Sequence, residues 1–192
     1  MKYRFLLIVI LFYGVNLYSQ DQKFSLEASY PLTIDNNFIG DRSFGVIDLG
    51  IKYSVVNLEI LNIGLGVNGG VLVDNTNLAN FPLDFKRTIY TIQPKVFGEF
   101  NLRNITKLHP FVNLGYSFVR ISLSGANNGQ NVSGFSETLG GVNVGLGVKY
   151  DLFSRVFLLA QYDFSKLDPG NAPDTSYNTN FSLLKIGVGL RF

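Results

Sequence analysis

The chain has 192 residues, 46% of them hydrophobic, with Lys+Arg 16, Asp+Glu 14, one His, 20 Gly and no Cys or Trp. That length suits one domain with a real core, but charged residues reach only 16%, against roughly 25% in an ordinary soluble domain. Absent cysteine excludes disulfides, thiolate metal sites and a Cys nucleophile; the formal charge of +2 argues against nucleic acid as a partner.

Lys2 and Arg4 precede an apolar run from Phe5 to Val15, followed by Asn16 and the small residue Ser19. A basic start, a short apolar stretch and a small residue predict a secretory signal peptide over residues 1–19, cleaved there or after residue 20. The run falls short of the ~20 apolar residues a spanning helix needs. Removing it removes the basic excess, and residues 20–192 are expected to form the mature domain.

From there period-two alternation dominates. Strands are expected over about 22–30, 44–53, 61–73, 88–100, 110–121, 142–150, 155–164 and 184–192. The last is the clearest. Leu184, Ile186, Val188, Leu190 and Phe192 alternate with Lys185, Gly187, Gly189 and Arg191, and successive strand side chains point to opposite faces. Pro94 within the fourth strand predicts a bulge, and the reversed parity of Leu58 and Ile60 predicts another near residues 59–61. Long links rich in Asn, Asp, Gly and Ser are expected at about 31–43, 74–87, 122–137 and 165–180. Tight turns are expected near 54–57 and 151–154, with an intermediate link at 101–109. Eight strands with alternating long and short links predict an all-β, antiparallel, up-and-down transmembrane barrel with both termini periplasmic.

The apolar face is expected to meet lipid, because the other face is mostly Gly, Asn and Ser with scattered charge, a poor soluble surface. Aromatic residues at strand ends support this: Tyr53, Phe100, Tyr150 and Phe192 at one rim, Tyr30, Phe118, Tyr162 and Phe164 at the other, as in interfacial girdles. Parity sends Lys23, Glu27, Asp48, Lys52, Lys95, Glu99, Lys149, Asp163, Lys185 and Arg191 to the lumen. An eight-stranded barrel is just wide enough for side chains to fill, so a polar plug is expected, with Lys52 meeting Glu59 and Asp163 meeting Lys185. A narrow small-solute channel is the alternative.

The closing alternation, with Leu190 and Phe192 on the apolar face, resembles the assembly signal of outer-membrane proteins. The mature chain resembles the small outer-membrane β-barrel domain common in Bacteroidetes, similar in form to OmpA/OmpX-type barrels and PorT-like proteins, and Ser19-Gln20 is similar to cleavage junctions in that group. The resemblance implies an outer-membrane location, recognition by the barrel-insertion machinery, contact with outer-membrane lipids, and a surface or secretion-system partner. No cofactor or metal is implied. Small barrel enzymes that modify lipids use a histidine near the outer surface. His109, beside Pro110, is expected at the periplasmic end, so no enzyme is expected. The mildly acidic outer links suggest a structural or surface-interaction role.

Overall fold

A computed structural model describes residues 23–34, 37–40, 43–76, 83–127, 130–170 and 172–192. The expected signal peptide, and parts of the expected links around residues 35, 41, 80, 128 and 171, lie outside the described residues. Eight strands form one closed antiparallel barrel in sequence order: β1 (Phe24–Thr33), β2 (Phe44–Asn57), β3 (Leu61–Thr76), β4 (Leu83–Phe100), β5 (Leu108–Asn127), β6 (Gln130–Asp151), β7 (Val156–Leu167) and β8 (Asn180–Arg191). A one-turn helix, α1 (Ser176–Thr179), precedes β8. Closure is made by β1 against β8, from Ser25 opposite Arg191 to Thr33 opposite Leu183. Phe24 and Phe192 exchange backbone hydrogen bonds at the rim where β1 begins and β8 ends. We call this rim the terminal end and the other the hairpin end.

Outward positions are apolar along the length of the strands. Leu49, Ile51, Leu65, Ile92, Val96, Leu114, Val144, Leu146, Ile186 and Val188 are all exposed, as a wall facing hydrocarbon requires. Inward positions carry most of the glycines and most charges. Three of those glycines face aromatic rings at the terminal end. A Cβ on Gly64, Gly147 or Gly189 would come within 2.6, 2.6 and 2.1 Å of the rings of Phe97, Phe111 and Phe157.

The strands depart from expectation in instructive ways. The links expected at 74–87 and 122–137 are largely strand, because β3–β4 and β5–β6 continue pairing through Thr76 opposite Phe85 and Asn127 opposite Gln130. Asn and Ser there read as turn chemistry, but a paired ladder tolerates them once both backbones are satisfied. Pro94 makes no bulge. The β4–β5 ladder omits Gln93 and Pro94, then resumes at Lys95 opposite Gly115 in the register it had at Ile92 opposite Phe118. Nor is there a bulge at 59–61. Leu58 and Ile60 belong to the β2–β3 turn, and the irregularities lie in β2, between Gly45 and Ile47 and between Ser54 and Val56. At each, consecutive residues face outward: Val46 with Ile47, and Val55 with Val56. A third register shift lies between Leu123 and Gly125.

The glycine–ring packing leads to a measurable contrast. Gly189→Leu forces Phe157 aside and is expected to lower stability by about 1–3 kcal/mol. Gly69→Ala, whose new Cβ finds its nearest neighbour 3.9 Å away, is expected to stay within about 0.5 kcal/mol of the parent. Urea unfolding of protein reconstituted in vesicles measures both.

Candidate functional site

The lumen holds the buried charge, and its residues arrive from every strand because inward positions recur at every second residue. They sort into two groups. In the middle, Lys185 Nζ lies 2.8 Å from Asp48 and 3.0 Å from Asp163, and Lys95 lies 3.5 Å from Asp163. Neutral side chains add further hydrogen bonds. Lys185 donates to Gln93 Oε1, Gln93 Nε2 donates to Ser117, and Ser117 bonds Ser165, which also accepts from Asn143. Asn68 donates to Asp48 and Gln161 to Asp163, each at 2.7 Å.

Toward the terminal end, Glu27 bridges Lys52 at 3.0 Å and Lys149 at 3.1 Å, and Lys149 reaches Glu99 at 2.6 Å. Arg191 links Glu99 to Asp151. His109 completes the group, with Nε2 2.9 Å from Asp151 Oδ2 and Nδ1 3.1 Å from Asn101 Oδ1. Each group balances its own charge. The middle holds Lys95 and Lys185 against Asp48 and Asp163; the terminal-side group holds Lys52, Lys149 and Arg191 against Glu27, Glu99 and Asp151. An unpaired charge at such a depth would carry a large desolvation penalty, so local neutrality keeps the interior tolerable.

Aromatic rings share the terminal-side layer. Lys52 Nζ sits 4.4 Å from the Phe111 ring centre, and Lys149 Nζ and the Arg191 guanidinium sit 4.8 and 4.7 Å from that of Phe157. Cations over ring faces gain electrostatic attraction without further water. Below them, a cavity of ≈ 260 Å³ opens at the terminal end, lined by Lys23, Glu99, His109, Lys149, Asp151 and Arg191 among others.

The hairpin end of the lumen is mostly apolar. Leu72, Ile89, Val119, Ile121, Leu139, Leu167, Phe181 and Leu183 form one buried cluster, joined by Ile39 from the β1–β2 connection. Asn37 shapes that connection by accepting from the backbone N–H groups of Ile39 and Gly40. Arg87 holds it down by donating to Phe38 O and Ser43 Oγ while pairing with Asp74.

Several expectations need correction here. Glu59 does not meet Lys52. It lies in the exposed β2–β3 turn and pairs with Arg103 at 3.1 Å, whereas Lys52 turns inward to Glu27; a turn residue outside the wall has no line to the lumen. Lys23 precedes β1 and is exposed at the cavity mouth rather than buried in the network. The lumen is also less uniformly polar than expected, since inward positions include Phe97, Phe111, Phe157 and the apolar cluster. Asp163 and Lys185 do stand in contact. Asp151, Gln93, Asn68 and His109 join the network without having been assigned to it. The strand parity that picked out Lys95 would have found Gln93, but Asp151 and His109 sit at strand ends, where parity fades into turn.

Tyr53, Phe100 and Tyr150 are exposed at the terminal end; Tyr30 is exposed toward the hairpin end of β1, and Phe118 is exposed in the middle of β5. Leu190 is exposed on β8, and Phe192 is half-buried with its ring 6.1 Å from that of Phe24. Tyr162 and Phe164 are half-buried beside the β7–β8 connection, where Tyr162 donates to Ser182. Tyr90 and Tyr116 also face outward, on the apolar faces of their strands. Among the described residues, no group of three or more His, Cys, Asp or Glu side chains could hold a metal ion.

The fold is matched by known proteins. Ail, the attachment invasion locus protein of Yersinia pestis, solved in complex with the heparin analogue sucrose octasulfate, superposes with a TM-score of 0.58 at 14% identity, covering 88% of this chain and 97% of that one. The N-terminal β-barrel domain of Pseudomonas aeruginosa OprF gives 0.57 at 16%, covering 90% and 98%. Neisserial surface protein A gives 0.55 at 17%, covering 88% and 97%. At these identities the likeness speaks for the fold. No curated protein matches the chain. A family model described as outer membrane protein beta-barrel domain matches residues 6–192, and the chain belongs to that family of outer-membrane barrels.

Proposed function

We propose that the protein is a non-enzymatic outer-membrane barrel with a closed lumen, serving a structural or surface-interaction role. The observation that carries this is the self-neutralising pair of charge groups in the middle and terminal-side lumen, overlain at the hairpin end by the apolar cluster around Ile39. An ion entering the barrel would have to break paired contacts and then cross the apolar cluster. His109 makes a poor catalytic base, because both ring nitrogens already face Asp151 and Asn101, leaving neither to take a proton from a nucleophile.

With eight strands both chain ends share one side, read here as the periplasm after removal of residues 1–19. Leu190 and Phe192 would then be read by the insertion machinery, and the apolar outer wall would meet membrane lipid. The finer likeness to PorT-like barrels of Bacteroidetes, and with it a secretion-system partner, rests on Ser19-Gln20 and the overall pattern alone.

Three outcomes are expected. In planar bilayers the purified protein shows no stable conductance steps; regular steps would establish the channel reading instead. Lys185→Met leaves Asp48 and Asp163 with too few cations and is expected to cost about 3–5 kcal/mol in urea unfolding, much of it restored when Asp163→Asn is added. In whole cells, a membrane-impermeant maleimide is expected to label a single cysteine at Asp174, in the β7–β8 connection, and not one at Phe153, in the β6–β7 turn. The reverse pattern would invert the orientation.

A further inference from the structure

A cavity of ≈ 330 Å³ lies on the outer wall at the hairpin end, between the β1–β2 connection, β7, α1 and the start of β8. Its volume is at the small end of ligand pockets, which run from roughly 300 to 1,000 Å³. Three aromatic side chains line it, Tyr162, Phe164 and Tyr177, with Asn37, Asn180 and Ser182 as polar neighbours. Among the described residues that line it, none carries a charge. Its two sides are tied together, because Phe38 N donates to Tyr177 O across the gap.

Asn37 supplies a second, independent sign. Its Oδ1 is committed to the N–H groups of Ile39 and Gly40, which fixes the direction of the amide. Its Nδ2 is left buried with no hydrogen-bond partner, in a residue only 2% exposed. A buried donor without an acceptor costs about 1–3 kcal/mol, and a shift that opens it to the groove would let an incoming oxygen relieve it.

Height matters too. From Phe192 at the terminal rim to Ser182 and Asn180, about ten to twelve residues of tilted strand climb about 25–30 Å along the barrel axis, the full height of the apolar band, about 25 Å. The groove therefore opens at the far membrane interface, where lipid head groups lie. Aromatic faces flanked by amides and hydroxyls suit a ligand with C–H faces and many hydroxyls, while the described lining residues offer no charge to phosphate, sulfate or carboxylate.

We propose that this groove binds an uncharged sugar residue. The reading that the hairpin end faces outward makes that sugar part of a surface glycan or of a lipid head group. The chemistry itself can be tested on detergent-solubilised protein, so its failure is distinct from a failure of the orientation, which the cysteine labelling reads separately.

Saturation-transfer NMR with maltose, lactose and chitobiose, and with core oligosaccharide freed of lipid from lipopolysaccharide, is the direct measurement. Transfer to sugar ring protons is expected. Confined to the core oligosaccharide it identifies a lipid head group, and shared with the disaccharides it identifies a free glycan. Tyr177→Ala removes an exposed ring, and Asn37→Asp keeps both backbone acceptor contacts while deleting the donor. Each is expected to weaken binding about tenfold with heat-modifiable gel migration unchanged. No transfer to any of these sugars, equal binding by the parent and both variants, or preference for a sulfated sugar over its neutral parent would each overturn the proposal.

Discussion

The interior of an eight-stranded barrel has a fixed and narrow width, and ionised side chains placed there cannot be hydrated as they would be in bulk water. In this chain that constraint governs where nearly every inward residue goes. Glu27 stands between two lysines, Asp163 between two others, and Arg191 between Glu99 and Asp151. No single pair is self-sufficient; each charge is held by neighbours from other strands. Truncating one member therefore exposes another, so the network constrains side chains on most of the strands at once.

The same shortage of room explains the glycines. Long lysine stems and phenylalanine rings need empty space opposite them, and Gly66 faces the Lys52 stem as Gly189 faces Phe157. The low overall charge follows as well. An outward wall facing lipid excludes charge, the lumen accepts it only in balance, and little surface remains beyond the rims.

Much of the fold was legible because lipid and lumen impose opposite demands on alternate residues. β8 and β6 show this cleanly, with Val, Leu and Ile on one parity and Gly, Asn and Lys on the other. Toward the hairpin end the contrast fades. Leu72 between Val71 and Val73, or Ile121 near Val119, is apolar where the lumen was expected to be polar, because the top of the barrel interior is a hydrophobic seal and both faces become apolar. Strand ends were placed short for a related reason, since Asn, Ser and Gly suit turns and aqueous-side ladders equally. Glu59 was misplaced because parity carries no information across a turn. The groove beside Tyr162 was invisible to the sequence, being assembled from connections far apart along the chain.

The order of the strands has a consequence for how the molecule comes together. Seven of the eight ladders join neighbours in sequence, so most of the sheet can grow as successive hairpins with little loss of chain entropy. Only the β1–β8 ladder spans the whole domain. Until β8 is available, β1 presents an open edge, the feature that invites pairing with foreign strands. The last strand made is thus the one that ends the chain's vulnerability, and the topology concentrates the slow, non-local part of folding into a single closing step.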